Sequence, residues 1–263
     1  MTRFAYCSDL HLDFGSIVID NDVNADCLIL AGDIIEFSAL KIKSDLSFNY
    51  IDEFFKNISD QFKVVVWVPG NHEYYGSSLR YGIEYGRKYL EANGWGNIKI
   101  MNNESIELDG IKIHASTLWT DMNKGNPVTI QAVGSGMNDF VHIQTHINEL
   151  EIVLRPVDVI KEHQASINFL ADSIDDDCIV VTHHAPLYQC NTYPSSELTH
   201  AYCSDLSEFI LDRPQIKHWV YGHVHNRLDI DLDSTKIMSN CRGYKGYEKA
   251  ADTFELKYFD WTK

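Results

Sequence analysis

The 263-residue sequence is short of features that mark whole classes of protein. It has no run of about 18 apolar residues, so no bilayer-spanning helix and no membrane partner are expected. The opening MTRFAYCSDLHLDF holds neither a long apolar stretch nor a cleavage signal, so no secretory leader is expected. None of the six cysteines forms a C-x-x-C pair. Cys7, Cys27 and Cys178 lie within or beside apolar runs, where a reduced thiol behaves as a small hydrophobe. That usage points to a reducing compartment, the cytoplasm. Positive charge is scarce: 22 Lys and Arg stand against 38 Asp and Glu, a formal net charge of −16. Such a surface disfavours duplex nucleic acid, which needs a basic footprint. No repeat, low-complexity tract or Pro/Ser-rich linker divides the chain, so residues 1–263 read as one domain.

What is present is a series of short apolar runs that each end in a polar loop. FAYC precedes Ser8-Asp9-Leu10-His11, and CLILA precedes Gly32-Asp33. VVVWVP precedes Gly70-Asn71-His72-Glu73, CIVVT precedes His183-His184, and HWVY precedes Gly222-His223-Val224-His225. Runs this short and this rich in β-branched and aromatic residues read as buried strands. Helical spacing appears over Tyr50–Phe62, Ser77–Glu91 and about Val157–Ile174. Alternating strands are expected at Ser105–Leu108, Ile111–His114 and Thr117-Leu118-Trp119, and again at Arg227–Leu232, Thr235–Met238 and Thr253–Phe259. Mixed strands with flanking helices predict two packed sheets covered by helices. The segment from Asp121 to about His163 is the least regular, and it reads as an insertion or lid over the site or as a plain surface excursion.

The five polar loops carry Asp9, His11, Asp33, Asn71, His72, His183, His184, His223 and His225. In open α/β sheets, ligands bind at the carboxyl ends of strands, which is where each loop falls. Imidazole and carboxylate together suit Mn, Fe, Zn, Co or Ni. No cysteine falls in these loops, which disfavours a thiolate-rich structural zinc site. Seven or more ligands exceed the needs of one tetrahedral ion, and two ions sharing a bridging carboxylate use them all. Gly32, Gly70 and Gly222 let the backbone turn tightly beside a ligand.

Taken in order, these motifs resemble the calcineurin-like metallophosphoesterase superfamily. Its pattern of D-x-H, G-D, G-N-H-[DE], a later H and G-H-x-H stands here as Asp9-Leu10-His11, Gly32-Asp33, Gly70-Asn71-His72-Glu73, His183 and Gly222-His223-Val224-His225. Thr117–Asp121, Thr182–Pro186 and Asn240–Tyr244 are similar to a bacterial and phage-type branch, although Cys241 stands where that branch is expected to carry proline. The resemblance implies an α/β fold, a four-layer sandwich of two mixed β-sheets flanked by helices. It implies hydrolysis of phosphate esters at two divalent transition-metal ions, manganese first, with Fe, Zn, Ni or Co as alternatives. Asp9, His11 and His225 would hold one ion, Asn71, His183 and His223 the other, and Asp33 would bridge them. His72 would lie by the leaving group without binding metal and donate it a proton. His184 would support its neighbour or touch substrate. Two cations about 3.5–4 Å apart share one water and lower its pKa toward neutrality, which would supply the attacking hydroxide.

The remaining candidates are outside the motifs. Arg155 and Arg242 are candidate phosphate clamps. Asp13 and Glu73 flank ligand motifs and are candidates to orient them. His163 is placed to face the insertion, and Tyr74-Tyr75 reads as packing. The acidic total, the acidic insertion and the missing Lys/Arg run favour a small phosphorylated or nucleotide-like substrate. A nuclease of the same superfamily and a non-catalytic scaffold of the same fold are the competing readings.

Overall fold

The structure is a computed structural model, and it describes residues 1–41 and 49–262. The described residues form fourteen strands: β1 (Thr2–Cys7), β2 (Cys27–Ala31), β3 (Val64–Val68), β4 (Ser77–Ser78), β5 (Ile98–Ile100), β6 (Glu104–Leu108), β7 (Ile111–Ser116), β8 (Ile143–Ile147), β9 (Leu150–Val153), β10 (Cys178–Thr182), β11 (Ile216–Tyr221), β12 (Asp229–Leu232), β13 (Thr235–Ser239) and β14 (Lys257–Trp261). One sheet runs β14-β1-β2-β3-β5 and a second runs β12-β13-β11-β10-β7-β6. Inside the first, β1, β2, β3 and β5 are parallel, and inside the second, β7, β10, β11 and β13 are parallel. Antiparallel strands close both sheets, β14 on the first and β12 and β6 on the second.

The period of two along each strand builds the layers. In β2, Cys27, Ile29 and Ala31 face the other sheet and meet Ile113, Val181 and Val220. Leu28 and Leu30 face the opposite way, with Val65 and Trp67, onto Ile51, Phe54, Phe55 and Ile58 of helix Asn49–Gln61. Beyond the second sheet, Val180, Trp219 and Ile237 pack against Leu170 of helix Pro156–Ser173 and Ile210. The order is helix, sheet, sheet, helix, the four-layer sandwich expected from the sequence.

Three expectations are corrected. Thr117-Leu118-Trp119 is not a strand: β7 ends at Ser116, and Leu118 and Trp119 have φ of 70° and 54°, in the left-handed region. The second helix begins at Gly82, because Ser77-Ser78 pairs with β8 as a short strand. The 121–163 segment is regular rather than irregular. It holds a one-turn left-handed winding at Met122–Gly125, helices Pro127–Gly136 and Asp139–His142, the β8–β9 hairpin and the start of helix Pro156–Ser173. Its Met122, Val133, Ile143, Leu154 and Val159 form a small core together with Tyr74, Trp119 and Ala201 from outside the segment.

Candidate active site

Both sheets present the carboxyl ends of parallel strands to one region, and the five polar loops meet there. β1 leads into Asp9 and His11, β2 into Asp33, β3 into Asn71 and His72, β10 into His183, and β11 into His223 and His225. Asp9, His11, Asp33, Asn71, His183 and His223 are buried, and His225 is nearly so. Five of these residues hold a left-handed backbone: Asp9 at φ 52°, His11 at 43°, Asp33 at 57°, His223 at 70° and His225 at 46°. Each such residue costs about 1–3 kcal/mol, while one hydrogen bond returns only about 1 kcal/mol net. Several contacts per loop are therefore needed. The Asp9 amide donates to the Gly32 carbonyl at 2.8 Å and the His11 amide to the Asp33 carbonyl at 3.0 Å. The His223 amide donates to the Asp9 carboxylate at 3.0 Å.

Glu73 ties the loops after β2 and β3 together from behind. It is fully buried, and its two oxygens accept four N–H bonds: from Ile34 at 2.7 Å, Trp67 Nε1 at 2.9 Å, Asp33 at 2.8 Å and Gly70 at 2.7 Å. Burial and the Asp33 carboxylate push its pKa up to about 8, against the pull of those donors. Close packing also dictates two glycines. A Cβ on Gly70 would lie 2.1 Å from Asp33 Oδ1, and one on Gly32 would lie 2.2 Å from His183 Nδ1.

Two of the rings are aimed inward by what their other nitrogen binds. His183 Nδ1 donates to the Ala31 carbonyl at 2.9 Å, which turns Nε2 to the centre. His225 Nδ1 donates to Glu248 Oε1 at 2.7 Å, with the same result. The inward atoms face one another: His11 Nε2 and His225 Nε2 at 3.2 Å, His183 Nε2 and His223 Nδ1 at 3.1 Å, and His183 Nε2 and Asn71 Oδ1 at 3.1 Å. Bonds of about 2.0–2.1 Å to a divalent ion set neighbouring donors about 3 Å apart. The donor set therefore fits metal. Three groups have donor atoms mutually within 4.8 Å: Asp9, His11 and His225; His11, Asp33 and His72; and Asp33, His183 and His223. Asp33 belongs to two of them, and its Oδ1 lies 3.3 Å from His183 while Oδ2 lies 3.8 Å from His11.

The electrostatics follow from two buried carboxylates. Burial opposes charge on His183 and His225, but Asp33 raises the first to about 9, and Asp9 and Glu248 raise the second to about 10. His11 and His223 are pushed down to about 3, chiefly by burial. A cluster that holds two anionic groups in a dry interior calls for cations at its centre.

His72 stands at the mouth of the cluster. Its ring stacks on Tyr75, with centroids 4.3 Å apart at 20°, and its Nε2 lies 3.2 Å from the Tyr244 hydroxyl. His184 is buried behind the cluster, where Nδ1 donates to the Thr117 carbonyl at 3.1 Å and the ring lies 4.3 Å from that of His223. His163 donates from Nδ1 to the Leu118 carbonyl at 3.1 Å, under the insertion. Asp13 is exposed on the turn after His11.

Neither candidate arginine lines the cavity beside the cluster. Arg155 pairs with Asp158 at 2.7 and 2.8 Å at the start of its helix. Arg242 is buried and donates to the carbonyls of Leu10, Gly15 and Ser16 at 2.8, 2.8 and 3.0 Å. It braces the Asp9–His11 loop, and the Arg242 and Gly243 amides reinforce this by donating to the Ser8 and Asp9 carbonyls, each at 3.0 Å.

Four residues around the cluster escaped the sequence reading. Tyr244 and Glu248 hold His72 and His225, and Tyr75 is the stacking partner of His72 rather than packing alone. Asp139, from the insertion, accepts from Asn71 Nδ2 and from the Tyr75 hydroxyl, both at 2.8 Å. Only Tyr244 had a signal, its place in the Asn240–Tyr244 motif; the others meet the site through long-range packing.

A cavity of about 470 Å³ opens beside His72, His223 and His225. Its lining includes Met137, Tyr193, Leu198 and Tyr202. Among the described residues it is lined by no lysine or arginine, and Asp33 and Glu248 are its acidic groups.

Two mixed sheets flanked by helices, with inward-aimed histidines and carboxylates at their shared strand ends, define a metal-dependent hydrolase of phosphate esters. The chain belongs to the calcineurin-like phosphoesterase family, whose profile matches residues 2–227. That family works through a dinuclear metal centre. An uncharacterised protein of Acanthamoeba polyphaga mimivirus is 29% identical over 262 residues, covering 93% of this chain and 92% of its own. The phosphopantetheinyl hydrolase of Mycobacterium tuberculosis superposes with a TM-score of 0.66 at 17% identity, over 98% of this chain and 95% of that one. A dimetal phosphatase of Danio rerio gives 0.50 at 12% identity, over 90% and 86%. At such identities the likeness is one of fold. No described helix is long and apolar enough to cross a membrane.

Proposed function

We propose that this chain hydrolyses small esters carrying a single phosphoryl group, with two divalent transition-metal ions held by seven side chains. Asp9, His11 and His225 would hold one ion, Asn71, His183 and His223 the other, and Asp33 would serve both. The observation that carries this reading is the inward facing of ring nitrogens at 3.1–3.2 Å, supplied by loops that span residues 9 to 225. Bound there, the ions supply Lewis acidity and an activated water. Asp9 and Asp33 offset the repulsion between two cations, and Asn71 adds a neutral oxygen that leaves their acidity intact. His72 is aimed at the cavity, where a leaving oxygen needs its proton. Nitrogen and oxygen donors without thiolate admit manganese, the ion proposed first, and equally Fe, Zn, Ni or Co.

The cavity sets the substrate size. About 470 Å³ suits a small ligand. Its tyrosines, Met137 and Leu198 suit an uncharged leaving group, and a second phosphate would meet Glu248 with no described lysine or arginine to pair it. The insertion serves as a wall of this cavity through Gly136, Met137 and Asn138. That wall is neutral, so the acidity of the insertion expected from the sequence does not reach the cavity through it: Asp158 is paired with Arg155, and Asp139 is buried against Asn71. Free, buried cysteines support a reducing, cytoplasmic setting.

The test is a panel on metal-reconstituted protein: an aryl phosphomonoester, an aryl phosphodiester, cyclic nucleotides, single-stranded DNA and duplex DNA, at low and physiological salt. Small esters are expected to give the higher kcat/KM. Efficient, salt-sensitive cleavage of duplex DNA with negligible small-ester turnover would instead establish the nuclease reading.

A further inference from the structure

We propose that Asp139 is a positioning residue through which the insertion sets both the metal-binding face of Asn71 and the ring of His72; the inference rests on the dinuclear reading above. Asp139 lies at the start of helix Asp139–His142, outside every motif, and is 4% exposed. Its Oδ1 accepts from Asn71 Nδ2 at 2.8 Å and from the Tyr75 hydroxyl at 2.8 Å.

The first bond decides which end of a carboxamide faces the cluster. The oxygen and nitrogen of Asn71 are nearly equal in size, so packing alone does not choose between two orientations related by a half-turn of the amide. Only the oxygen donates a lone pair to a cation. An ionised carboxylate accepts and never donates. Placed on one side of Asn71, it holds the NH2 there and leaves Oδ1 pointing the other way, 3.1 Å from His183 Nε2. With a cation at the centre, the His183 ring would turn a lone pair to it, because Nδ1–H is committed to the Ala31 carbonyl, and the amide would then be oriented from the side of Asp139.

The second bond reaches the leaving-group side. Tyr75 is half-buried, and its ring lies nearly parallel to that of His72, 4.3 Å away. The His72 ring meets His11 edgewise at 4.6 Å. Fixing the Tyr75 hydroxyl fixes the face on which His72 rests, and so keeps Nε2 toward Tyr244 and the cavity. Both donors share Oδ1, so an amide that keeps this oxygen in place would do the same work. That separates orientation from charge.

The experiment compares full-length wild type, Asp139→Ala, Asp139→Asn and Tyr75→Phe. Three readouts are taken: metal per chain after dialysis against a competing chelator, the thermal midpoint of the metal-free protein, and kcat/KM on aryl esters with good and poor leaving groups. Asp139→Ala is expected to lose about 10–100-fold in affinity at one of two metal positions. Asp139→Asn is expected to restore two metals. Tyr75→Phe is expected to keep both metals and to lose several-fold in turnover, more on poor leaving groups. Wild-type metal affinity in Asp139→Ala overturns the assignment. So does loss of metal in a folded Asp139→Asn, which would make charge or direct ligation the cause. If Asp139→Ala does not fold, Asp139→Asn and Tyr75→Phe still decide the matter through metal content and leaving-group dependence. A wild-type protein that binds no metal overturns the dinuclear reading itself, and that result is distinct because it appears before any substitution.

Discussion

The metal-side cluster and the cavity wall facing it are built in opposite ways. The cluster draws its side chains from five loops, each placed directly after a strand of the sandwich. Its atoms are buried, charged and locked by Glu73, Arg242 and backbone bonds. The wall draws on the insertion, the 191–202 stretch and the 244–248 turn, and its groups are neutral or aromatic apart from Glu248. The contrast separates two tasks. A site that holds cations needs invariable geometry, so it sits on the rigid core. A site that accommodates a leaving group needs shape, and shape is supplied by connections between core elements.

Removing the bridge between the two halves of the cluster gives the largest expected effect. Asp33→Ala should lose metal and leave less than about a thousandth of wild-type activity, since in the proposed centre two cations would lose their shared anion and the His72 amide loses its acceptor at 2.9 Å. Elemental analysis with turnover on an aryl ester checks it, and full metal occupancy would break the division between the two regions.

His72→Ala comes next, at the boundary. It should keep both metals and lose about 10²–10⁴-fold in kcat, with the larger loss on poor leaving groups that depend on protonation. Equal losses on good and poor leaving groups would remove it from the proton-donor role and assign it to the cluster alone.

The rigidity of the cluster is testable without metal. Glu73→Leu should destabilise the metal-free protein by at least about 3 kcal/mol, because four buried N–H donors lose their acceptor and each costs about 1–3 kcal/mol. Denaturant unfolding measures it. A loss below about 1 kcal/mol would mean that the loops are held by metal rather than by the sandwich.

Tyr244→Phe should give the smallest effect. It removes the hydroxyl 3.2 Å from His72 Nε2 while keeping the ring against His11, so kcat should fall about 2–10-fold with metal content and stability unchanged. A loss of metal would place Tyr244 with the cluster instead of the wall.

How much of this was legible in the sequence follows the same division. Asp9, His11, Asp33, Asn71, His183, His223 and His225 were legible because each lies one to four residues past a strongly apolar run, and strands end where such runs end. The sandwich was legible for the same reason, since Cys27–Ala31 and Cys178–Thr182 have no polar face and must be covered on both sides. Arg155 and Arg242 were misplaced because a guanidinium looks alike in sequence whether it meets a phosphate, a carboxylate such as Asp158, or three backbone carbonyls.

The sequence alone determined the alternating apolar runs, the order of the loops and the chemical identity of the donors, because these are local properties of neighbouring residues. Only the tertiary structure decided which nitrogen of His183 and of His225 faces inward, since Ala31 and Glu248 lie 152 and 23 residues from the rings they orient. It also decided the left-handed backbone at Asp9, His11, Asp33, His223 and His225, a conformation their own propensities oppose. Asp139 carries no local sign of its place beside Asn71, 68 residues away. Strain and orientation of this kind are imposed by contacts between distant segments, and those exist only once the two sheets have closed on each other.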